Sequence, residues 1–332
     1  LGRRIHVIAE SDLNDARVMA PSTEGGYGLD GQWNDDFHHA LHTVLTGERK
    51  GYYGDFGRLN QLATALKEGF VYSGQRSQFR RRRHGSSSIS RAPSQFIVYS
   101  QNHDQVGNRA GGERLSTLVP RDALKVAAAA CLLAPNIPLL FMGEEYGETV
   151  PFLYSIDHGD PALIDAVRKG RQAEFRSFAW EGEAPDPQDP STFERSQVHP
   201  GVQTEGECVQ LLRWYHRLIT LRTSIPALGA AQPGRHEQSV WVEEREQILV
   251  LHRRALTSRA ALVILSFNPE QTVVTLRKPL GTWELTVESL DLEFGGSGHN
   301  NFPVRVDIGE QGHTISMPAY GVAVYLDCIP SR

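Results

Sequence analysis

The chain has 332 residues, 40% of them hydrophobic and 22% charged, with a formal net charge of −5. This describes a globular protein too long for one ordinary core, so two domains are expected, and nothing in the balance calls for nucleic acid as a partner. Three dispersed cysteines make neither a disulfide framework nor a metal site, no run reaches the roughly 20 apolar residues of a membrane span, and no signal-peptide pattern opens the chain, so a cytoplasmic setting is expected.

Ile5-His6-Val7-Ile8-Ala9 reads as a buried parallel strand that runs into Glu10 and a polar Ser11-Asp12-Leu13-Asn14 turn. A carboxylate at such a tip stands where barrel enzymes keep their chemistry, although it reads equally as an ion-paired or capping residue. A second short strand is expected over residues 29–34. Asp35 and Asp36 then supply the acidic first turn of a helix over about 37–45, stopped by Gly47. An aromatic connector with Tyr52, Tyr53 and Phe56 leads to a helix over about 59–67, ended by Gly69. The run Arg80-Arg81-Arg82-Arg83-His84 lies in a polar loop over 73–92 and is read as facing polar ligand or neighbouring carboxylates.

Phe96-Ile97-Val98-Tyr99 is another strand of the same kind, leading to Gln101-Asn102-His103-Asp104. A helical run over 121–133 precedes a third buried strand, residues 137–142, tipped with Glu144 and Glu145. Acids at successive strand ends, with a helix between strands, indicate βα units and a parallel sheet. Residues 151–202 read as a long irregular insertion over the active face. Residues 208–219 form an amphipathic helix, with Cys208, Leu211, Leu212, Tyr215, Leu218 and Ile219 on one side. Beyond Pro226, short apolar runs such as 248–251, 261–265, 283–287, 314–317 and 322–325 alternate with turn residues, the texture of an antiparallel β domain. The sequence has no internal repeats.

Hydrolysis of a glycosidic bond usually needs two carboxyl groups flanking the anomeric carbon, and sugar clefts add aromatic faces and short polar side chains. The chain offers Glu10, Asp104, Glu144 and Glu145 at strand ends, with Trp33, Asp35, Asp36, His38, His39, His103 and Arg109 in adjoining loops. Each also has a plain structural role open to it: Trp33 in core packing, Asp35 as a cap, His38 and His39 on a helix surface, and Glu144-Glu145 in an ion-pair network. His38 and His42 have the spacing of a zinc-helix pair, but no glutamate follows His38, so no metal or other cofactor is assigned.

Ala9-Glu10-Ser11-Asp12-Leu13-Asn14-Asp15, Gln32-Trp33-Asn34-Asp35-Asp36-Phe37-His38-His39, Asn102-His103-Asp104 with Arg109, and Leu139-Leu140-Phe141-Met142-Gly143-Glu144-Glu145 together resemble the second half of the maltooligosyltrehalose trehalohydrolases. That group is a branch of the α-amylase family of (β/α)8-barrel glycosidases. The resemblance implies an α/β fold in which residues 1–225 are the C-terminal half of a TIM barrel, strands five to eight, and residues 226–332 an antiparallel β-sandwich. It implies Glu10 as the acid/base and Asp104 as the aspartate that stabilises charge at the anomeric carbon. His103 would hold the same sugar ring, Trp33, Asp35, Asp36 and His38 would recognise the trehalose end, and Asp12, Arg109 and Glu144 complete the substrate-binding set. The substrate implied is an α-glucan, maltooligosyl trehalose, cut with retention at the α-1,4 bond next to its trehalose end. The nucleophilic aspartate of the family lies in an Arg-x-Asp motif on the fourth strand, and Arg3-Arg4-Ile5-His6 is not that motif. The chain is therefore expected to be a C-terminal fragment that needs the N-terminal half of the barrel. A glycogen-branching glucanotransferase and a non-catalytic α-glucan-binding fragment are the alternatives.

Overall fold

A computed structural model of the chain describes residues 2–3, 5–177, 185–199, 206–256, 258–298 and 301–328. Its first strand, β1 (Ile8–Ala9), pairs in parallel with β2 (Gly31–Trp33). β2 has to pass close to the neighbouring backbone, because a Cβ on Gly31 would stand 2.9 Å from the Gln95 carbonyl oxygen. Helix α1 (Asp35–Thr46) follows at once. The Asn34 side chain caps it by accepting from the Phe37 N–H at 3.2 Å, Asp35 and Asp36 occupy the first turn, and Gly47 ends it at φ 76°. Helix α2 (Leu59–Glu68) packs against α1 through Leu59, Leu62 and Leu66.

The loop expected over 73–92 contains a small hairpin, β3 (Arg76–Ser77) with β4 (Arg82–Arg83). Strand β5 (Phe96–Val98) then lies beside β2 and is wholly buried. Its chain continues into a short helix, α3 (His103–Gly107), capped by Asn102, which accepts from the Gln105 N–H at 2.7 Å. After α4 (Leu115–Leu118) and α5 (Arg121–Leu132), strand β6 (Ile137–Pro138) completes a parallel sheet of order β1-β2-β5-β6.

The two outer strands are shorter and more exposed than their sequences suggest. Residues 5–9 and 137–142 each read as a buried strand, yet only two residues of each are in the ladder, and Ile5, Val7, Ile137 and Leu140 are 67%, 56%, 40% and 40% exposed. Among the described residues, β1 and β6 each have a neighbour on one side only, so no second ladder fixes or covers them. The insertion over 151–202 is also less irregular than expected, since it holds α6 (Pro161–Ser177) and α7 (Pro190–Glu194). The helix expected at 208–219 is α8 (Gly206–Ser224), with its buried side rotated from the expected one. Trp214 and Leu221 join Leu211, Tyr215 and Leu218 inside, whereas Ile219 is 39% exposed.

The remaining strands are β7 (His236–Glu243), β8 (Ile248–Ala255), β9 (Ala261–Ser266), β10 (Thr272–Leu276), β11 (Gly281–Glu288), β12 (Arg305–Ile308), β13 (His313–Met317) and β14 (Val322–Asp327). Six form an antiparallel sheet of order β12-β11-β14-β9-β8-β7, and β10 pairs with β13. Alternate residues of the large sheet face two different cores. Ile248, Val250, Leu262 and Ile264 meet Val274, Leu276, Ile315 and Met317 of the small sheet. Leu249, Leu251, Val263 and Leu265 belong instead to a cluster that runs without a break through α5, α8, α2 and α1.

Two buried cations cross this seam. Lys125 of α5 donates to the Ser289 carbonyl at 2.6 Å and pairs with Asp122 at 2.7 Å. Arg253 of β8 donates to the carbonyls of Leu133, Ala134 and Leu228 at 3.0, 3.2 and 2.8 Å, and also to that of Gly229. The Leu133 and Ala134 carbonyls lie just past the end of α5, where a cation satisfies them, and those of Leu228 and Gly229 lie in the turn after α8. Burial pushes the Arg253 guanidinium down to about 9. No helix among the described residues is long and apolar enough to cross a membrane. Arg253→Met is expected to lower unfolding stability by about 2–4 kcal/mol, because it strands buried carbonyls. Urea denaturation checks this, and a loss below about 0.5 kcal/mol, the scale of an ordinary surface change, would mean the carbonyls find other donors.

Candidate active site

The carboxyl ends of β1, β2 and β5 open into a cleft of about 320 Å³. Glu10, Ser11 and Asp12 line it from the turn after β1, Trp33 and Asp35 from the end of β2 and the start of α1, and Asn102, Asp104 and Gln105 from the turn after β5. Trp33 stands half-buried at the centre, edge-on to Tyr99 at 5.6 Å and to His103 at 5.9 Å between ring centres. Glu10 and His103 are both exposed, and His103 Nε2 lies 3.9 Å from Glu10 Oε1. Asp104 accepts from the Asn108 side-chain amide at 2.6 Å. Asp12 pairs with Arg80 at 2.7 Å.

Asp35 is held by the Tyr99 hydroxyl and, at 3.4 Å, by the Gln105 amide. Its burial raises its pKa against the Tyr99 hydrogen bond, and the charges of Asp12, Asp104 and Glu10 push the same way. The cleft thus gathers four carboxyl groups around one indole. That is the equipment for binding a polyhydroxylated ligand and for moving a proton at a glycosidic oxygen. Among the described residues no three His, Cys, Asp or Glu side chains are grouped to hold a metal ion.

Known proteins are similar to this chain in sequence and in fold. Residues 241–326 match the family described as "Alpha amylase, C-terminal all-beta domain". A malto-oligosyltrehalose trehalohydrolase from Rhizobium sp. strain M-11 is 48% identical over 231 residues, which is 69% of this chain and 39% of that protein. The protein of the same name from Saccharolobus solfataricus is 49% identical over 216 residues, 65% of this chain and 36% of its own. The crystal structure of a Salmonella typhimurium protein named as an α-amylase superposes with a TM-score of 0.78 at 34% identity, covering 98% of this chain and 51% of that one. The chain belongs to the α-amylase family. It spans less than half the length of the curated relatives it matches.

Of the α-amylase-family positions expected at the site, Glu10, Asp12, Trp33, Asp35 and Asp104 come together in the cleft, and His103 stands at its rim. Four others do not reach it. Asp36 points away from the cleft, and one of its oxygens accepts from Asn14 Nδ2, Val71 N and Tyr72 N, each at 2.8 Å. Burial pushes it up to about 6 against those bonds. His38 is buried between the Ser100 carbonyl, 2.9 Å from Nδ1, and the Tyr53 hydroxyl, 3.1 Å from Nε2. A carbonyl can only accept, so Nδ1 carries the hydrogen and Nε2 accepts from Tyr53. Burial drives the His38 pKa well below its ordinary value and keeps the ring neutral. Arg109 is buried in a two-pronged pair with Glu48, both bonds 2.8 Å, and also meets Glu113 at 3.2 Å.

Glu144 lies beneath the turn after β5, accepting from the Ser100 hydroxyl at 3.1 Å and from Tyr215 at 3.4 Å. The cleft gains walls that the motifs leave out. Tyr52, whose hydroxyl donates to Gln105 at 3.0 Å, comes from the connector after α1, and Phe79 comes with Arg80 from the β3–β4 hairpin. Their signals in the sequence are the Tyr52-Tyr53 pair and the arginine run, which does face a carboxylate. Beside the cleft, a groove of about 620 Å³ shares His103, Asp104 and Asn108 with it or its rim and is otherwise largely apolar, with Met142, Phe152 and Phe193.

Burial pushes Glu144 from its ordinary 4.5 to about 8, so it is protonated in the fold at neutral pH. Its contribution to stability is whole below 4.5 and declines as pH rises to about 8, where the folded form at last ionises. Glu144→Gln should remove that decline. Urea midpoints measured across this pH range check it, and an unchanged slope in the variant would mean that Glu144 is charged inside the fold.

Proposed function

We propose that this chain is the part of a malto-oligosyltrehalose trehalohydrolase that supplies the acid/base and the trehalose-binding wall of the active site. The observation that carries the reading is that Glu10 and Asp104, at the carboxyl ends of parallel strands, line one cleft with Trp33. On this reading β1, β2, β5 and β6 are strands five to eight of a (β/α)8 barrel. Residues 1–225 are then its C-terminal half and residues 226–332 a β-sandwich. The substrate is maltooligosyl trehalose, cut at the α-1,4 bond that joins the trehalose unit.

Glu10 gives its proton to the leaving oxygen and then takes one from water, which its exposed position at the cleft mouth permits. Asp104, oriented by Asn108, faces the positive charge that builds at the anomeric carbon. Asp35 has one oxygen committed to Tyr99 and is fixed as a hydroxyl acceptor beside Trp33. Asp36, His38, Arg109 and Glu144 act from behind as supports of these groups. Retaining cleavage needs a second carboxyl about 5–5.5 Å from the acid, and that group comes from the complementary half of the barrel. Glucan alone needs no cofactor for this chemistry.

Three experiments test the reading. With the complementary half supplied by co-expression, Glu10→Gln should cut trehalose release on the order of 10²-fold or more while substrate still binds. Near-normal turnover would remove Glu10 from the mechanism. In the same setting Trp33→Ala should hurt maltooligosyl trehalose more than plain maltooligosaccharide, and equal losses would return Trp33 to a packing role. The 332-residue chain alone should release no trehalose and should self-associate through its open β1 and β6 edges. Clean release by a monomer would place the nucleophile inside this sequence.

A further inference from the structure

The β3–β4 hairpin concentrates arginine in a chain that is acidic overall. Arg80 is matched by Asp12, but Arg76, Arg81, Arg82 and Arg83 are exposed and, among the described residues, make no ion pair with a carboxylate. Arg83 gives one N–H to the Gly74 carbonyl at 3.0 Å. The strand register sets Arg76 directly opposite Arg83, so both leave the same face of the ribbon. Like charges directly opposite one another destabilise a strand pair, and a two-stranded ribbon has little stability of its own to spare. At the tip, Arg81 adopts φ 55°, a region unfavourable for a residue with a Cβ.

These costs are held in place from behind. Asp55 accepts from the Ser77 hydroxyl and from the N–H groups of Gln78 and Phe79 at 2.8 and 3.2 Å. The buried Ser77 and the Asp55 carboxylate thus fix the turn, so the backbone positions that carry Arg76 and Arg83 are held opposite each other. The same turn carries Phe79 and Arg80 into the wall of the sugar cleft.

We propose that Arg76 and Arg83 form a binding site for a phosphate monoester group carried by a small molecule. A phosphate dianion offers three terminal oxygens, enough to take a guanidinium fork from each side, and its charge turns the repulsion of the pair into attraction. A lone carboxylate, with two oxygens and one charge, satisfies a single fork. The net charge of −5 argues against an extended polyanion such as nucleic acid, which the rest of the surface would repel. A sugar phosphate and a nucleotide share the chemistry, and binding data separate them.

Calorimetric titration of the 332-residue chain with inorganic phosphate, glucose 6-phosphate, AMP and, as a neutral control, glucose tests the site. The expected result is one site per chain for the phosphate compounds at millimolar concentration or below and none for glucose. Binding should fall by about tenfold or more in the Arg76→Gln, Arg83→Gln double variant. A preference for glucose 6-phosphate over AMP identifies a sugar phosphate as the source, and the reverse order a nucleotide; either supports the site. Should the double variant fail to fold, Arg76→Lys and Arg83→Lys singly keep the charge but lose the fork, and each should weaken binding. The proposal is overturned if no phosphate compound binds, if the arginine variants bind as the parent does, or if a short oligonucleotide binds more tightly than every monoester.

Discussion

One buried carboxylate oxygen, on Asp36, ties the cleft together. It receives the Asn14 amide from the turn after β1 and two backbone N–H groups, Val71 and Tyr72, from the segment after α2. Asp36 itself sits in the first turn of α1, one residue past Asp35. Three stretches far apart in the chain are thus brought to a single atom: the one that bears Glu10 and Asp12, the one that bears Trp33 and Asp35, and the one that leads to Phe79 and Arg80. Asn14 meets this demand at φ 52°, a conformation that asparagine tolerates better than most residues. The three hydrogen bonds offset part of the desolvation of this buried carboxylate, and replacing it by an apolar group would leave three donors stranded.

A second tie acts from the other side of the sheet. The Ser100 carbonyl takes the His38 N–H, and its hydroxyl meets Glu144, which Tyr215 of α8 also holds. Two residues further on, Asn102 caps α3 and sets out His103 and Asp104. The acids of the cleft are therefore not positioned by contact with one another, which like charges would oppose. Asp35 is positioned by Tyr99 and Gln105, Asp104 by Asn108 and Asp12 by Arg80, and Glu10 stands exposed at the cleft.

The sequence was most legible where local rules act alone. The acidic first turn and the Gly47 stop place α1 within two residues of its observed ends, although Asn34 and not Asp35 is its cap, and the alternating runs after Pro226 announce an antiparallel sheet. The structure also sets Glu10, Trp33 and Asp104, which the motifs name, along one cleft. Motifs do not record direction. Asp35 and Asp36 are adjacent letters, but successive helical residues point about 100° apart, so one meets the cleft and the other the interior. His38, Arg109 and Glu144 have the chemistry of site residues, and that same polarity serves to satisfy buried partners. The strand at 5–9 looked buried because composition records apolar side chains and not whether a neighbour lies over them. Tyr52 and Phe79 were hidden for a different reason: they reach the cleft on connections whose course depends on the Asp36 tie and on Asp55 beneath the hairpin.

The seam between α5, α8 and the large β-sheet bears on how such a protein could be rebuilt. Lys125 and Arg253 each reach across it to carbonyl groups of the opposite side, and the apolar cluster beneath them has no gap at the crossing. The β part is therefore not portable. To exchange it for the corresponding part of another α-amylase-family protein, an engineer would need to carry residue 125 and the chain end after α5 along with the strands, or redesign both at once. The same holds for natural recombination: a crossover near Pro226 would separate Lys125 from the Ser289 carbonyl and Arg253 from those of Leu133 and Ala134, so the two sides are constrained to diverge in step.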